Sequence, residues 1–331
     1  MRSSFDAAFP PSEFEAASND VLFAHHCLEF VDRVPGDPET TAFKRRARLH
    51  QALWREARGF ASGTQPIRPS KKYPEPRDLG SRIAVEAARS TGANFLNDTV
   101  RRAVEKRLAN PQPHQTLNED RLYCDLLSSM PMCFNLFAEL QKDLDLANRA
   151  IHARWPTTPG NVAAVEFEWS PGRQLEGEYL ENRSAFDVAF ILDLGGGKKG
   201  VLGVETKYHE HCKREKIPSG KRIARYKAVV AASGLMSPAN VEKVIGSDLQ
   251  QIWLDHLLAS SMPLHASQKW AWAGFALVHP ARNPSYARAV ERYQSLLSNP
   301  STIQVTSIES LLQAGVLPEA TAQAFKERYL W

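Results

Sequence analysis

Ala185–Leu194 (AFDVAFILDL), Gly195–Gly200 (GGGKKG) and Val201–Tyr208 (VLGVETKY) decide the fold. Two apolar runs joined by a glycine-rich turn predict a β-hairpin. Side chains alternate across a strand, so Glu205 and Lys207 point to one face. A turn centred near residues 196–197 sets Asp187 opposite Glu205. Two carboxylates facing one point suit a hard divalent cation such as Mg²⁺, which takes oxygen ligands and keeps some waters. Such an ion orients a nucleophilic water and neutralises charge on a phosphate. Lys207 then stands as a point charge beside the reacting centre. The constellation points to phosphodiester hydrolysis. Its bland alternative is a salt bridge between Glu205 and Lys207 at a strand end.

Working outward, Asn161–Trp169 (NVAAVEFEW) alternates and predicts a strand before the hairpin. Trp270–Val278 and Thr302–Thr306 predict two more strands after it. Helices are expected over 220–233, over 238–262 behind Ser237-Pro238, over 284–298, and as two short pieces around Pro318. The hairpin strands are joined too closely for parallel crossovers, so the sheet must be mixed. Residues 116–331 therefore read as an α/β sandwich, a central mixed sheet flanked by helices. Residues 1–115 read as an N-terminal helical extension. It holds a helix over 38–58, an extended basic loop over 62–80 with four prolines, and a helical stretch over 82–109 interrupted near Gly92. Between the two parts, 119–150 is expected to be helical with a break at Pro131.

The chain has 331 residues, 43% hydrophobic and 24% charged, which excludes an intrinsically disordered protein. The longest uncharged apolar stretches are far too short to cross a bilayer, so no membrane partner is expected. The start of the sequence has no apolar core of a secretory signal. Cys27, Cys124, Cys133 and Cys212 form no CxxC pair and read as reduced thiols of a cytoplasmic protein. The net charge of +4 averages opposing blocks: residues 1–40 carry −6, residues 44–77 carry +8 and residues 198–227 carry +7. Clustered bases are the footprint expected for phosphate contact. Lys71, Lys72, Lys198, Lys199, Lys213 and Arg214 are the candidate DNA-binding residues, against the plainer reading of solvated faces. The acidic start is also a candidate to fold over the basic groove and restrain it.

Phe186-Asp187 followed by Glu205-Thr206-Lys207 resembles the PD-(D/E)XK nuclease superfamily, the restriction-endonuclease-like fold. The wider pattern runs from Leu126-Leu-Ser-Ser129 and Phe134-Asn-Leu-Phe137, through Phe167-Glu-Trp-Ser170 and Arg183-Ser-Ala-Phe-Asp187, to Gly203-Val-Glu-Thr-Lys-Tyr208. It is similar to a bacterial branch of that superfamily, over about residues 80–331. The resemblance implies a metal-dependent deoxyribonuclease, an endonuclease, with Asp187 and Glu205 binding Mg²⁺ (or Mn²⁺ in its place). It also implies a ligand from the Thr206 backbone carbonyl, a water-assisting role for Lys207, and a further polar residue from the preceding helix, Glu139 or Asn135. Phe186 replaces the motif's proline, which supplies no ligand. A homodimer would suit cleavage of both strands. The alternative is a catalytically silent DNA-binding module on the same fold.

Other signals are weaker. His209-Glu-His211-Cys212 imitates part of a zinc site but lacks the usual spaced pairs, and His209 is instead a candidate helper near the phosphate. The Gly195–Gly200 turn lacks a phosphate-loop pattern and leads into a strand. The resemblance also makes Gln250 or Gln251 a candidate near the metal, against helix packing by Leu249, Ile252, Trp253 and Leu257 with the polar residues outside. Glu166 and Glu168 share a strand face, and one of them joins the site if that face bears Asp187.

Overall fold

A computed structural model describes residues 18–65, 76–115 and 117–331. The described chain opens with α1 (Asn19–Ala24) and the long α2 (Pro38–Ala57). A short antiparallel ribbon follows, β1 (Ser62–Thr64) with β2 (Asp78–Ile83). Next come α3 (Val85–Thr91), α4 (Asp98–Ala109), α5 (Glu119–Cys124), α6 (Ser129–Lys142) and α7 (Leu144–Arg154). The strands β3 (Asn161–Trp169), β4 (Phe186–Asp193) and β5 (Lys199–Thr206) then run consecutively. Helices α8 (Gly220–Ser233), α9 (Pro238–Val244) and α10 (Gln250–Ser261) lead to β6 (Trp270–His279). The chain finishes with α11 (Pro284–Gln294), β7 (Ile303–Ser307), α12 (Ile308–Gln313) and α13 (Glu319–Tyr329).

The main sheet has the order β3-β4-β5-β6-β7. The first three strands pair antiparallel, and β6 and β7 add on in parallel. This is the mixed sheet that the short hairpin connection requires. The turn closes as a hairpin: Gly195, Gly196 and Gly197 all take positive φ, which a side chain would oppose. Val188 pairs with Val204, and the same register carries Asp187 and Glu205 to the end of the ladder.

Both faces of the sheet are covered, so strand parity sorts the core into two layers. Val188, Phe190, Leu202, Val204, Ala276 and Val278 pack on one side with α4, α6 and α7. Ala189, Val201, Phe275 and Leu277 pack on the other with α8, α10 and α11. Ala47, Val100 and Val104, from helices preceding residue 115, join the first layer. The contact between β4 and β5 is tight at Gly203, where an added Cβ would lie 2.4 Å from the Phe186 ring. Gly203→Ala is expected to cost about 1–3 kcal/mol by overpacking, read from urea unfolding.

Several element boundaries differ from the sequence reading. Pro131 does not break a helix. It sits in the first turn of α6, where no intrahelical hydrogen bond is needed from its nitrogen. The breaks fall at Asp125–Ser128 and at Asp143, which ends α6 and caps α7 through Leu146 N at 2.9 Å. Residues 82–83 belong to β2 and not to a helix: Ile83 pairs with Ser62 of β1, and Arg82 bridges to Asp125. Gly92 does interrupt the stretch, closing α3 at φ +64. The expected helix over 238–262 is two helices, parted where Gly246 adopts φ +70. The ends of the 62–80 segment form β1 and part of β2, while Arg68, Lys71 and Lys72 lie outside the described residues.

Candidate active site

The site lies where β4 begins and β5 ends. Asp187 Oδ2 accepts hydrogen bonds from Thr206 N at 2.8 Å and Thr206 Oγ1 at 2.6 Å. The Asp187 carboxylate is thereby fixed across the two strands. Glu205 and Lys207 share a face, as alternation requires, and Lys207 Nζ donates to Glu205 Oε1 at 2.6 Å. Both side chains are buried, at 6% exposure each. The pair is therefore no exposed strand-end salt bridge. Gln251 on α10 donates to the same Glu205 oxygen at 3.2 Å. Around these groups opens a cleft of about 1170 Å³.

Glu168 also faces the cleft, from the end of β3. It adopts φ +47, an unusual backbone for a non-glycine residue. Its carboxylate pairs with Arg173 at 2.8 Å. Asp255, one helical turn beyond Gln251 on α10, lines the same cleft and is 6% exposed. Sequence reasoning placed the polar residues of that helix outside, and so missed it. The available signal was its i, i+4 spacing from Gln251, which puts both on one helix face. Glu210 completes the set, accepting from Ser129 Oγ at 2.7 Å and Tyr208 N at 2.8 Å.

Electrostatically, the carboxylates are crowded. Burial pushes Glu205 well above its ordinary range, and the Asp187 charge adds to the push while Lys207 opposes it. Burial likewise raises Asp187, against the pull of Lys207 and Thr206. Burial and Asp187 raise Glu168 to about 7, against Arg173. Burial raises Asp255 to about 8, with Asp187 and Glu168 adding and Lys207 opposing. Lys207 is held firmly protonated: burial works against its charge, but Glu205, Tyr286, Glu210 and Asp187 outweigh it. A donor set of crowded oxygen ligands beside one lysine fits a hard divalent cation, which would relieve the repulsion. Among the described residues no three His, Cys, Asp or Glu side chains already converge as a cage. An ion here would therefore keep part of its hydration shell.

These shifts have a measurable sign. The folded protein holds protons on Glu168 and Asp255 at a pH where the unfolded chain has lost them. Metal-free stability is therefore expected to fall as pH rises from about 5 through the folded values near 7 and 8. Thermal melts in a chelating buffer across that range check it, and Mg²⁺ should flatten the dependence.

The remaining candidates fall in different places. Gln251 reaches Glu205, whereas Gln250 lines the cleft but is spent on Gly246 N and Lys216 O. Asn135 and Glu139 do not reach the site. Asn135 is fully buried and joins Leu96 N, Asn94 O and the Tyr329 hydroxyl, and Glu139 accepts from Asn97. The helix face they share points to the neighbouring helices. His209 lines the cleft, but its Nε2 lies 2.8 Å from Asp32 Oδ1. His211 pairs with Lys44, so the histidines do not gather as zinc ligands. Lys198 and Lys199 sit at the hairpin turn, about 23 Å along β5 from the site. They are thus at the wrong end of the sheet to touch a phosphate held at Asp187. Lys213 lines the cleft and Arg214 does not. Lys44, Arg121, Arg183, Lys216 and Arg222 line it too, and most of these were not singled out in the sequence.

No helix among the described residues is long and apolar enough to cross a membrane. No curated protein and no solved structure matches the chain. A family model does: that of the PD-(D/E)XK nuclease superfamily, over residues 37–331. The match takes in the hairpin, the cleft and every residue described around Asp187 and Glu205, and the chain belongs to the PD-(D/E)XK nuclease superfamily.

Proposed function

We propose that this chain is a Mg²⁺-dependent deoxyribonuclease, an endonuclease acting in the cytoplasm, with Mn²⁺ able to substitute. The observation that carries the reading is the convergence of Asp187, Glu205 and Lys207 at one end of a buried hairpin, within a cleft rimmed by bases. Asp187, Glu205 and the Thr206 carbonyl would hold the cation, which supplies charge neutralisation and an activated water. Asp187 is pre-oriented by Thr206, so little ordering remains at the moment of binding. Lys207, kept protonated, stabilises negative charge on the attacking oxygen and on the phosphate. Gln251 orients Glu205. Lys213, Arg183 and Arg222 take neighbouring phosphates. The expected result is cleavage of plasmid DNA by purified protein in Mg²⁺, abolished by EDTA. Absence of cleavage in both Mg²⁺ and Mn²⁺ would overturn the assignment.

The bond between Lys207 and Glu205 favours one other reading, since it occupies a carboxylate oxygen the cation would use. In that case the protein is a silent DNA-binding module and binds DNA without cutting it. Both readings predict salt-sensitive binding. Replacing Lys213 and Arg222 together by alanine is expected to weaken binding across sequences and to reduce the salt slope by about 2, read from anisotropy titrations. A single site per chain also calls for two copies to cut both strands, which sedimentation on a duplex would register.

A further inference from the structure

Asp255 stands apart from the other carboxylates of the cleft. Asp187 is held by Thr206, Glu205 by Lys207 and Gln251, Glu168 by Arg173, and Glu210 by Ser129 and the Tyr208 amide. Asp255 Oδ2 is fully shielded and has no hydrogen-bond partner among the described residues. Burying a carboxylate without a partner is costly. Packing does not demand it, because Ile252, Trp253 and Leu257 supply the core contacts of α10. An aliphatic or amide side chain would serve the helix better. The cost is intelligible if the missing partner arrives with the ligand.

We propose that Asp255 is a positioning residue for the cation, accepting a hydrogen bond from a water of its hydration shell. The proposal rests on the metal-site reading above. Among the described residues no three carboxylates converge on one point, so with Asp187 and Glu205 holding the ion Asp255 is assigned to its water. Mg²⁺ retains several waters when bound by one or two carboxylates, and those waters need acceptors. Gln251 and Asp255, four residues apart on α10, then act together. The first orients a carboxylate that holds the ion, and the second orients the ion's water.

The test is cation binding by the full chain without DNA. Mg²⁺ affinity is measured by calorimetry and Mn²⁺ affinity by electron paramagnetic resonance of the free ion. Asp255→Asn keeps the shape and removes the ionisable carboxyl. It is expected to weaken both ions about 10–100-fold, the usual effect of losing an outer-shell partner. Metal-free Asp255→Asn should melt at or above the wild-type temperature, because it removes an unpartnered carboxylate. Asp187→Asn serves as the reference and should lose binding. If Asp187→Asn loses binding while Asp255→Asn binds like wild type, the inference about Asp255 fails and the metal site stands. If Asp187→Asn itself binds like wild type, the metal-site reading fails. A metal-free Asp255→Asn that melts lower or does not fold marks a structural role and overturns the proposal.

Discussion

Lys207→Ala protein is expected to lose DNA cleavage by a factor of about 10²–10³ or more, the loss that follows removal of one preorganised electrostatic group. The size follows from where the lysine sits. It is buried among Glu205, Asp187 and Glu210, in a setting that keeps its charge at any ordinary pH. A charge in such a site acts with little screening by water, and it is already in place when the phosphate arrives. Its removal also leaves Glu205 without its counter-ion, so Glu205 would take up a proton more readily and hold a cation less well. Asp187→Asn should be at least as damaging. Asparagine can still accept from Thr206 and preserve the hairpin, but it lacks the charge that attracts the ion. Both variants should keep salt-dependent DNA binding, because the basic rim is separate from them. Cleavage assays and anisotropy titrations on the same preparations check the pair of outcomes. Full activity in either variant would sink the assignment of these residues.

The sequence made the hairpin legible because three signals agree there: apolar runs of strand length, a glycine turn and polar residues two apart. The turn then fixes the register, and the register fixes which carboxylates meet. Strand β6 was legible as an apolar run, since both its sides are covered, and β3 by its alternation, with Val162, Val165 and Phe167 turned into the core. What sequence could not carry was the third dimension of the helices. Asn135 and Asp255 are both polar residues on largely apolar helices. One is locked into a network with Asn94 and Tyr329, and the other lines the cleft, buried, with one carboxylate oxygen unpartnered. Helical spacing gives a face, not what that face meets. The basic residues show the same limit. Lys198 and Lys199 follow the turn in sequence yet lie a strand's length from the site, while Arg121 and Lys44 come to it from distant segments. Charge runs along the chain report composition, and only the fold decides which charges share a cleft.

Asp32→Ala is expected to destabilise the protein by about 3–5 kcal/mol, the typical cost of stripping one partner from a buried ion pair. Asp32 belongs to the acidic start of the chain, five residues before the family match begins. It is completely buried. Its Oδ2 accepts from Arg48 Nε at 2.5 Å and its Oδ1 from Arg48 Nη2 at 2.9 Å, a bidentate pair. His209 Nε2 lies 2.8 Å from Oδ1, and Lys44 Nζ lies 4.0 Å away. Burial alone would raise the Asp32 carboxyl, but the hydrogen bonds and charge of Arg48, with His209 behind them, hold it well below its usual range. Alanine would leave Arg48 buried without its hydrogen-bonded counter-ion and take one of the neighbouring acids from Lys44. The damage should reach the cleft, because His209 follows Lys207 by two residues and begins the loop that walls the cleft. An acidic segment that merely restrained the groove would give the opposite outcome on removal. Residues 1–17 lie outside the described residues, but residues 29–32 are built into the support of the site. Deleting residues 1–40 is therefore expected to lower both the urea midpoint and DNA cleavage. A truncated protein that is as stable as the full chain and binds DNA more tightly would restore the restraint reading. Because the folded Asp32 titrates below its unfolded value, the pair contributes fully above about pH 4 and its contribution is lost on further acidification. The acid limb of the wild-type stability curve should accordingly shrink in Asp32→Asn.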